Sequence, residues 1–165
     1  DINSHLMKKT LLIAIITCLC AALSAQTYKL VPVFEDRYPE TYLSHWKVLE
    51  NAGTAPADTF SLWGYHRYFD DLQKGTYEVS YFKGDARATY LFLKGVVDFS
   101  LQYRDQDKVQ TTIAGVRVRT SKELSFRYTL VFDKENKVVC MYNLKQWTEI
   151  LKKMEDYCLL NKIAY

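Results

Sequence analysis

Residues 76–142 read TYEVSYFKGDARATYLFLKGVVDFSLQYRDQDKVQTTIAGVRVRTSKELSFRYTLVFDKENKVVCMY. How this stretch divides into elements decides the fold. Apolar and polar residues alternate through much of it, and turn-forming residues interrupt it at short intervals, which predicts six strands joined by five tight turns. Gly84-Asp85 suits a two-residue turn with Gly first, and sets Tyr81 against Ala88, Val79 against Tyr90 and Tyr77 against Phe92. A turn at Lys94-Gly95 sets Phe92 against Val97 and Tyr90 against Phe99. Closing at Asp105 to Lys108 brings Phe99 to Ala114 and Val97 to Val116. A turn over Thr120 to Leu124 places Val118 beside Phe126 and Val116 beside Tyr128. The last turn, Lys134 to Asn136, sets Leu130 against Cys140 and Tyr128 against Tyr142. A slip of one residue at any turn would send the apolar set to the other face, and all five turns keep it on one.

A long helix is predicted after this meander. Asn143 and Gln146 have capping-box spacing, and Leu144, Trp147, Leu151, Met154 and Cys158 recur at helical steps as one stripe. Upstream, Thr27 to Phe34 reads as a short strand, with Pro32 suited to an edge or a strand end. A helix is expected over residues 39–53, opened by Pro39 and ended at Gly53, with Tyr42, Leu43, Trp46 and Leu49 on one face. Asp58 to Gly75 reads as a second helix, capped by Asp58, with Leu62, Tyr65, Phe69 and Leu72 sharing a face.

The first 25 residues stand apart. Met7, Lys8 and Lys9 lead into an apolar run from Leu11 to Leu23, and Ala22-Leu23-Ser24-Ala25 offers small residues for cleavage before Gln26. That pattern is a secretory signal peptide over 7–25. Residues 1–6 precede its methionine and read as a cloning remnant, and 26–165 form one α+β domain. The expected address is periplasmic or extracellular. Without residues 1–25 the chain keeps 20 Lys and Arg against 18 Asp and Glu, a net charge of +2. Nucleic-acid binding demands a more basic footprint. No second apolar run approaches the ~20 residues of a membrane span.

The order strand, helix, helix, six-strand meander, long C-terminal helix resembles the helix-grip fold of the START and Bet v 1 superfamily. There a curved antiparallel sheet wraps a C-terminal helix and leaves an apolar cavity. The likeness is one of topology over Thr27 to the C-terminus, and no motif carries a site residue across. A lipocalin-like barrel and a cystatin- or NTF2-like sheet are the alternatives.

On that meander one face carries Tyr77, Tyr81, Tyr90, Tyr103, Tyr128 and Tyr142 with Phe99, and Gln110 stands beside Tyr103. Six hydroxyls left unpaired in a dry core would each cost about 1–3 kcal/mol. They therefore sit at a rim, or they line a cavity for an apolar or amphipathic small molecule. The opposite face carries Val131 opposite Val139 with Met141 beside them, too apolar for open solvent. It is either covered by the first strand and helices or the surface for a protein partner or a homodimer. Arg117 opposite Arg127, with Arg119 nearby, forms a cationic cluster on that face, and Asp98 is its expected neutraliser.

Catalysis finds little support. His45 and His66 lack a neighbouring nucleophile motif, and no G-x-S-x-G, H-E-x-x-H, Walker-type loop or Rossmann fingerprint occurs. Asp36 and Asp70-Asp71 could act as an acid/base pair only if the fold converged them. No cofactor or metal is expected. Of the four cysteines, Cys18 and Cys20 lie in the signal peptide. Cys140 and Cys158 would both face the core, but about 21 Å up a helix and about 10 Å back along a strand from the same corner. Bridged Cα atoms must come within about 7 Å, so two buried thiols are the reading over a disulfide. The function expected is that of an exported, non-enzymatic binding protein.

Overall fold

The structure, a computed structural model, describes residues 28–37, 40–48, 59–70, 73–123 and 125–165. The segment read as a signal peptide over 7–25, with Cys18 and Cys20, and the loop expected at 53–57 lie outside the described residues. Among the described residues, eight strands form two antiparallel sheets of four. The first holds β1 (Tyr28–Arg37), β2 (Glu40–Val48), β3 (Thr59–Asp70) and β4 (Gln73–Gly84), and the helix α1 (Ala86–Gln102) follows. The second holds β5 (Gln110–Ile113), β6 (Val116–Glu123), β7 (Phe126–Phe132) and β8 (Val138–Tyr142), and the helix α2 (Leu144–Leu160) follows. Each sheet is a simple meander in chain order, and neither closes into a barrel. The chain is thus an α+β protein with antiparallel sheets and a long C-terminal helix. No described helix is long and apolar enough to cross a membrane.

Two expected helices are strands. Over β2 the apolar pattern has a period of two: Thr41, Leu43 and His45 are buried, while Tyr42 lies on the other face and stacks on its cross-strand partner Trp63 at 4.3 Å. Thr, Tyr and Trp favour the pleated backbone, and stacked aromatics across strands stabilise it further. The helical stripe Tyr42, Leu43, Trp46 was a coincidence of spacing, and Leu49 lies outside the described residues. Over 58–75 the chain runs instead as β3 into β4, with Asp70 paired to Gln73 across their connection.

The reverse error occurs in α1. Of the hairpins expected around Gly84-Asp85 and Lys94-Gly95, the first strand is present as β4, while Ala86 to Gln102, expected as strands, are helical. Asp85 is the N-cap, its carboxylate accepting from the Ala88 N–H at 2.7 Å. The buried positions Thr89, Phe92, Leu93, Val96, Phe99 and Ser100 make one continuous stripe. Phe92 stacks on Phe82 of β4 at 4.4 Å.

The turns expected over 120–124 and 134–136 fall near their places with different registers, and the strand expected to run on from Lys108 is split by an unexpected turn. Ala114 and Gly115 both take positive φ, 47° and 80°, and make the two-residue turn between β5 and β6. The β6–β7 turn lies beyond Glu123, which pairs with Phe126, so Val118 faces Val131 and not Phe126. That shift is odd and exchanges the faces of β7 relative to β6. A bulge between Val131 and Phe132 moves the last register by one, so Cys140 pairs with Val131 and Leu130 with Met141. Arg117 consequently does not oppose Arg127. It lies over the Phe132 ring at 4.2 Å, with Arg119 over the same ring at 5.0 Å. Asp98 pairs with Lys94 within α1.

The predicted C-terminal helix is present, with Asn143 and Gln146 forming a reciprocal capping box, each bond 3.0 Å. Its burial repeats that of α1. Counted from the first helical residue, positions 4, 7, 11 and 15 are buried in both helices: Thr89, Phe92, Val96 and Ser100 in α1, Trp147, Ile150, Met154 and Cys158 in α2. The chain is therefore two successive ββββα units, each helix capped by an Asx residue directly after its last strand. The helices pack on each other, and one hydrophobic core draws on both units.

Gly95 brings the backbone of α1 close to β5 of the second sheet. A Cβ there would lie 2.8 Å from Ile113 Cγ2. Alanine normally gains about 1 kcal/mol over glycine within a helix, but here the methyl has no room. Gly95→Ala should therefore leave the urea midpoint unraised, whereas in an Ile113→Ala background the same change should recover about 1 kcal/mol.

Candidate binding cleft

Two of the tyrosines read as ligand-binding lie in a buried polar seam between the sheets. Tyr142, at the end of β8, donates to Asp36 of β1 at 2.9 Å, and Thr41 of β2 donates to the Cys140 thiol at 3.5 Å. Tyr81 of β4 is buried beside Cys140 and Thr41. Burial, the dominant cause, pushes the Cys140 thiol up to about 12. It also drives Tyr81 and Tyr142 above the ordinary phenol range. A thiol so protonated is no nucleophile. Cys158 is likewise buried, with burial raising its thiol, and both cysteines are free. This seam joins the two sheets.

The histidines divide in the same way. His45 is buried on β2, with Nδ1 2.8 Å from the Tyr157 hydroxyl of α2 and its ring stacked on Phe60 at 4.4 Å. It fastens the C-terminal helix to the first sheet. His66 lies on β3, its side chain outside the described residues, as are Asp71 and the side chain of Asp70. Among the described residues no group of three or more His, Cys, Asp or Glu could hold a metal ion.

An open cleft of about 490 Å³ lies elsewhere, where the end of α1, the β6–β7 hairpin and the start of α2 meet. From α1 and the residues after it come Ser100, Tyr103, Arg104 and Gln106. The hairpin contributes Thr120 and Ser121 on one strand and Ser125 to Thr129 on the other, and α2 brings Asn143, Leu144 and Lys145. Its innermost polar group is a clamp: Ser100 Oγ donates to Val96 O at 2.6 Å, and so receives the Thr129 hydroxyl, also at 2.6 Å. Trp147 Nε1 donates to the Thr129 carbonyl at 3.3 Å. One residue of β7 thus holds both helices. Above it the lining is rich in hydroxyls, with Phe126 and Leu144 as apolar surface and Arg104, Arg127 and Lys145 as cations. It includes no carboxylate.

The residues singled out from sequence scatter over the fold. Tyr103 and Tyr128 line the cleft. Phe99 is buried against Tyr103, their rings 5.1 Å apart. Tyr90 lies on α1 against Tyr165 at 4.8 Å, and Gln110 is exposed on β5. Tyr77 is on β4, its side chain outside the described residues. Of the surface residues, Val131 is fully buried in the core, Val139 is half-buried, and Met141 remains exposed. Sequence reasoning did not select Ser100, Arg104, Thr129 or Lys145. Arg127 was placed on the face with Arg117, from which the true register removes it.

The seam predicts sensitivity to alkali. Below pH 9 the Cys140 thiol is protonated in both folded and unfolded chains. Above it the unfolded chain ionises while the folded chain keeps its proton until about 12. Stability should therefore fall as pH rises from 9 towards 12, by up to about 1.4 kcal/mol per pH unit from this group. Urea midpoints at rising pH should show that fall, and Cys140→Ala should make it shallower.

The chain matches no family model, no curated protein and no solved structure.

Proposed function

We propose that the protein is a non-enzymatic binding protein, acting after export, that takes an amphipathic small molecule in the cleft between α1, the β6–β7 hairpin and α2. The observation that carries this reading is the cleft itself. Its volume of about 490 Å³ falls within the few hundred to about 1,000 Å³ of ligand pockets. It combines an aromatic and aliphatic wall with clustered hydroxyls. The helix-grip likeness contributed the expectation of a cavity between a sheet and the C-terminal helix, and the cleft lies at such a junction. Ligands often bind where secondary elements from different parts of the chain converge, as α1 of the first unit and β6, β7 and α2 of the second do here.

A second reading rests on a separate observation. Val138 and Met141, which do not line the cleft, are exposed on the second sheet. A protein partner on the second sheet would use them.

N-phenyl-1-naphthylamine, a neutral amphipathic dye of suitable size, separates the two. The cleft reading expects saturable binding of one dye per chain. Ser125→Trp, which fills the mouth, should weaken it by about tenfold, about the loss of one large buried apolar contact, while Met141→Asp should not. Absence of saturable binding, or loss through Met141→Asp and not Ser125→Trp, would move the function to the sheet surface.

A further inference from the structure

We propose that the cleft selects amphipathic anions, with Arg104, Arg127 and Lys145 holding an oxyanion head and Phe126 and Leu144 lying against the apolar body. This deepens the small-molecule reading and rests on it. Three observations lead to it.

The first is the charge of the lining. Three cations from three separate elements converge, no carboxylate lines the cleft, and none of the three makes an ion pair among the described residues. The second is the state of Arg127. Its side chain is half-buried, Nε is sealed from solvent without an acceptor, and its one hydrogen bond is a long contact of 3.4 Å from Nη1 to the Phe126 carbonyl. A charged donor enclosed in this way gains more from an arriving acceptor than an exposed one does. Arg117 and Arg119 also enclose their Nε atoms, but they lie over the Phe132 ring. Arg127 has no comparable ring contact among the described residues. The third is the register, which puts Lys122 directly opposite Arg127. Like charges facing across a sheet repel, and an anion between α1 and the hairpin relieves that repulsion. The Asp107 carboxylate accepts from the Lys122 backbone N–H at 2.9 Å and offsets only part of this charge.

The guanidinium fork matches the paired oxygens of a carboxylate, phosphate or sulfonate. Lys145, in the first turn of α2, adds charge at the helix end that already favours anions. An oxyanion on an aromatic or acyl body is the chemistry that fits all these groups together.

The test uses two dyes with one ring system: 8-anilinonaphthalene-1-sulfonate and its neutral parent N-phenyl-1-naphthylamine. In about 20 mM salt the sulfonate should bind about tenfold more tightly, and the preference should shrink as salt rises to about 300 mM. Arg127→Gln should lower the ratio of the two affinities about fivefold, and Arg127→Lys, which keeps charge without the fork, should fall between. Lys145→Gln and Arg104→Gln, at exposed positions, should each lower the ratio and carry the test if Arg127→Gln does not fold. Arg119→Gln, on the other face, should leave the ratio within about twofold. Equal affinities, or a preference that these three neutralisations do not move, would overturn the anion assignment and leave the cleft reading standing. Failure of both dyes to bind would overturn both.

Discussion

Both helices are hung from Thr129. Its hydroxyl reaches Ser100 on α1 and its carbonyl receives the Trp147 indole on α2, within a buried region where an unpaired polar group would be costly. Because Ser100 spends its own hydrogen on the helix backbone, Thr129 must donate, which fixes its rotamer as well as its position. Once that clamp is set, the end of α1 and the start of α2 are held over the β6–β7 hairpin at a fixed distance. The space between them is the cleft. Its shape therefore depends less on the residues at the mouth than on one threonine beneath them.

The C-terminal helix was legible because two independent signals agreed, a capping box and a stripe ending in Cys158. The second meander was legible in outline, since its turns have strong local chemistry: Asp133 accepts from both Glu135 and Lys137 backbone N–H groups to make the last one. The first unit was misread because short apolar runs satisfy both periods. Tyr42, Leu43 and Trp46 fit a helix until Trp63 arrives from another strand to stack on Tyr42. Tyr90 to Leu101 fits a hairpin until Phe82 stacks on Phe92. Only tertiary contact decides such segments.

Agreement of five turns on one apolar face was weaker support than it looked. Alternation within a rich apolar sequence tolerates several registers, and Ala114 in a left-handed conformation gives no sequence cue for the turn that sets the true one. The one-residue bulge beside Val131 is similarly silent. The odd shift at the β6–β7 turn, beyond Glu123, displaced Arg127 from its real side of the sheet, and with it the cationic character of the cleft. The repetition of ββββα, hidden behind unrelated side chains, appears only when burial is compared position by position along the two helices.

The polar seam also bears on how the chain is made. Asp36, Thr41 and His45, all near its beginning, find partners in Tyr142, Cys140 and Tyr157, separated from them by 106, 99 and 112 residues. Contacts of such separation form late. As the polypeptide emerges during synthesis, its first sheet must wait for the last helix before its inward polar groups are satisfied.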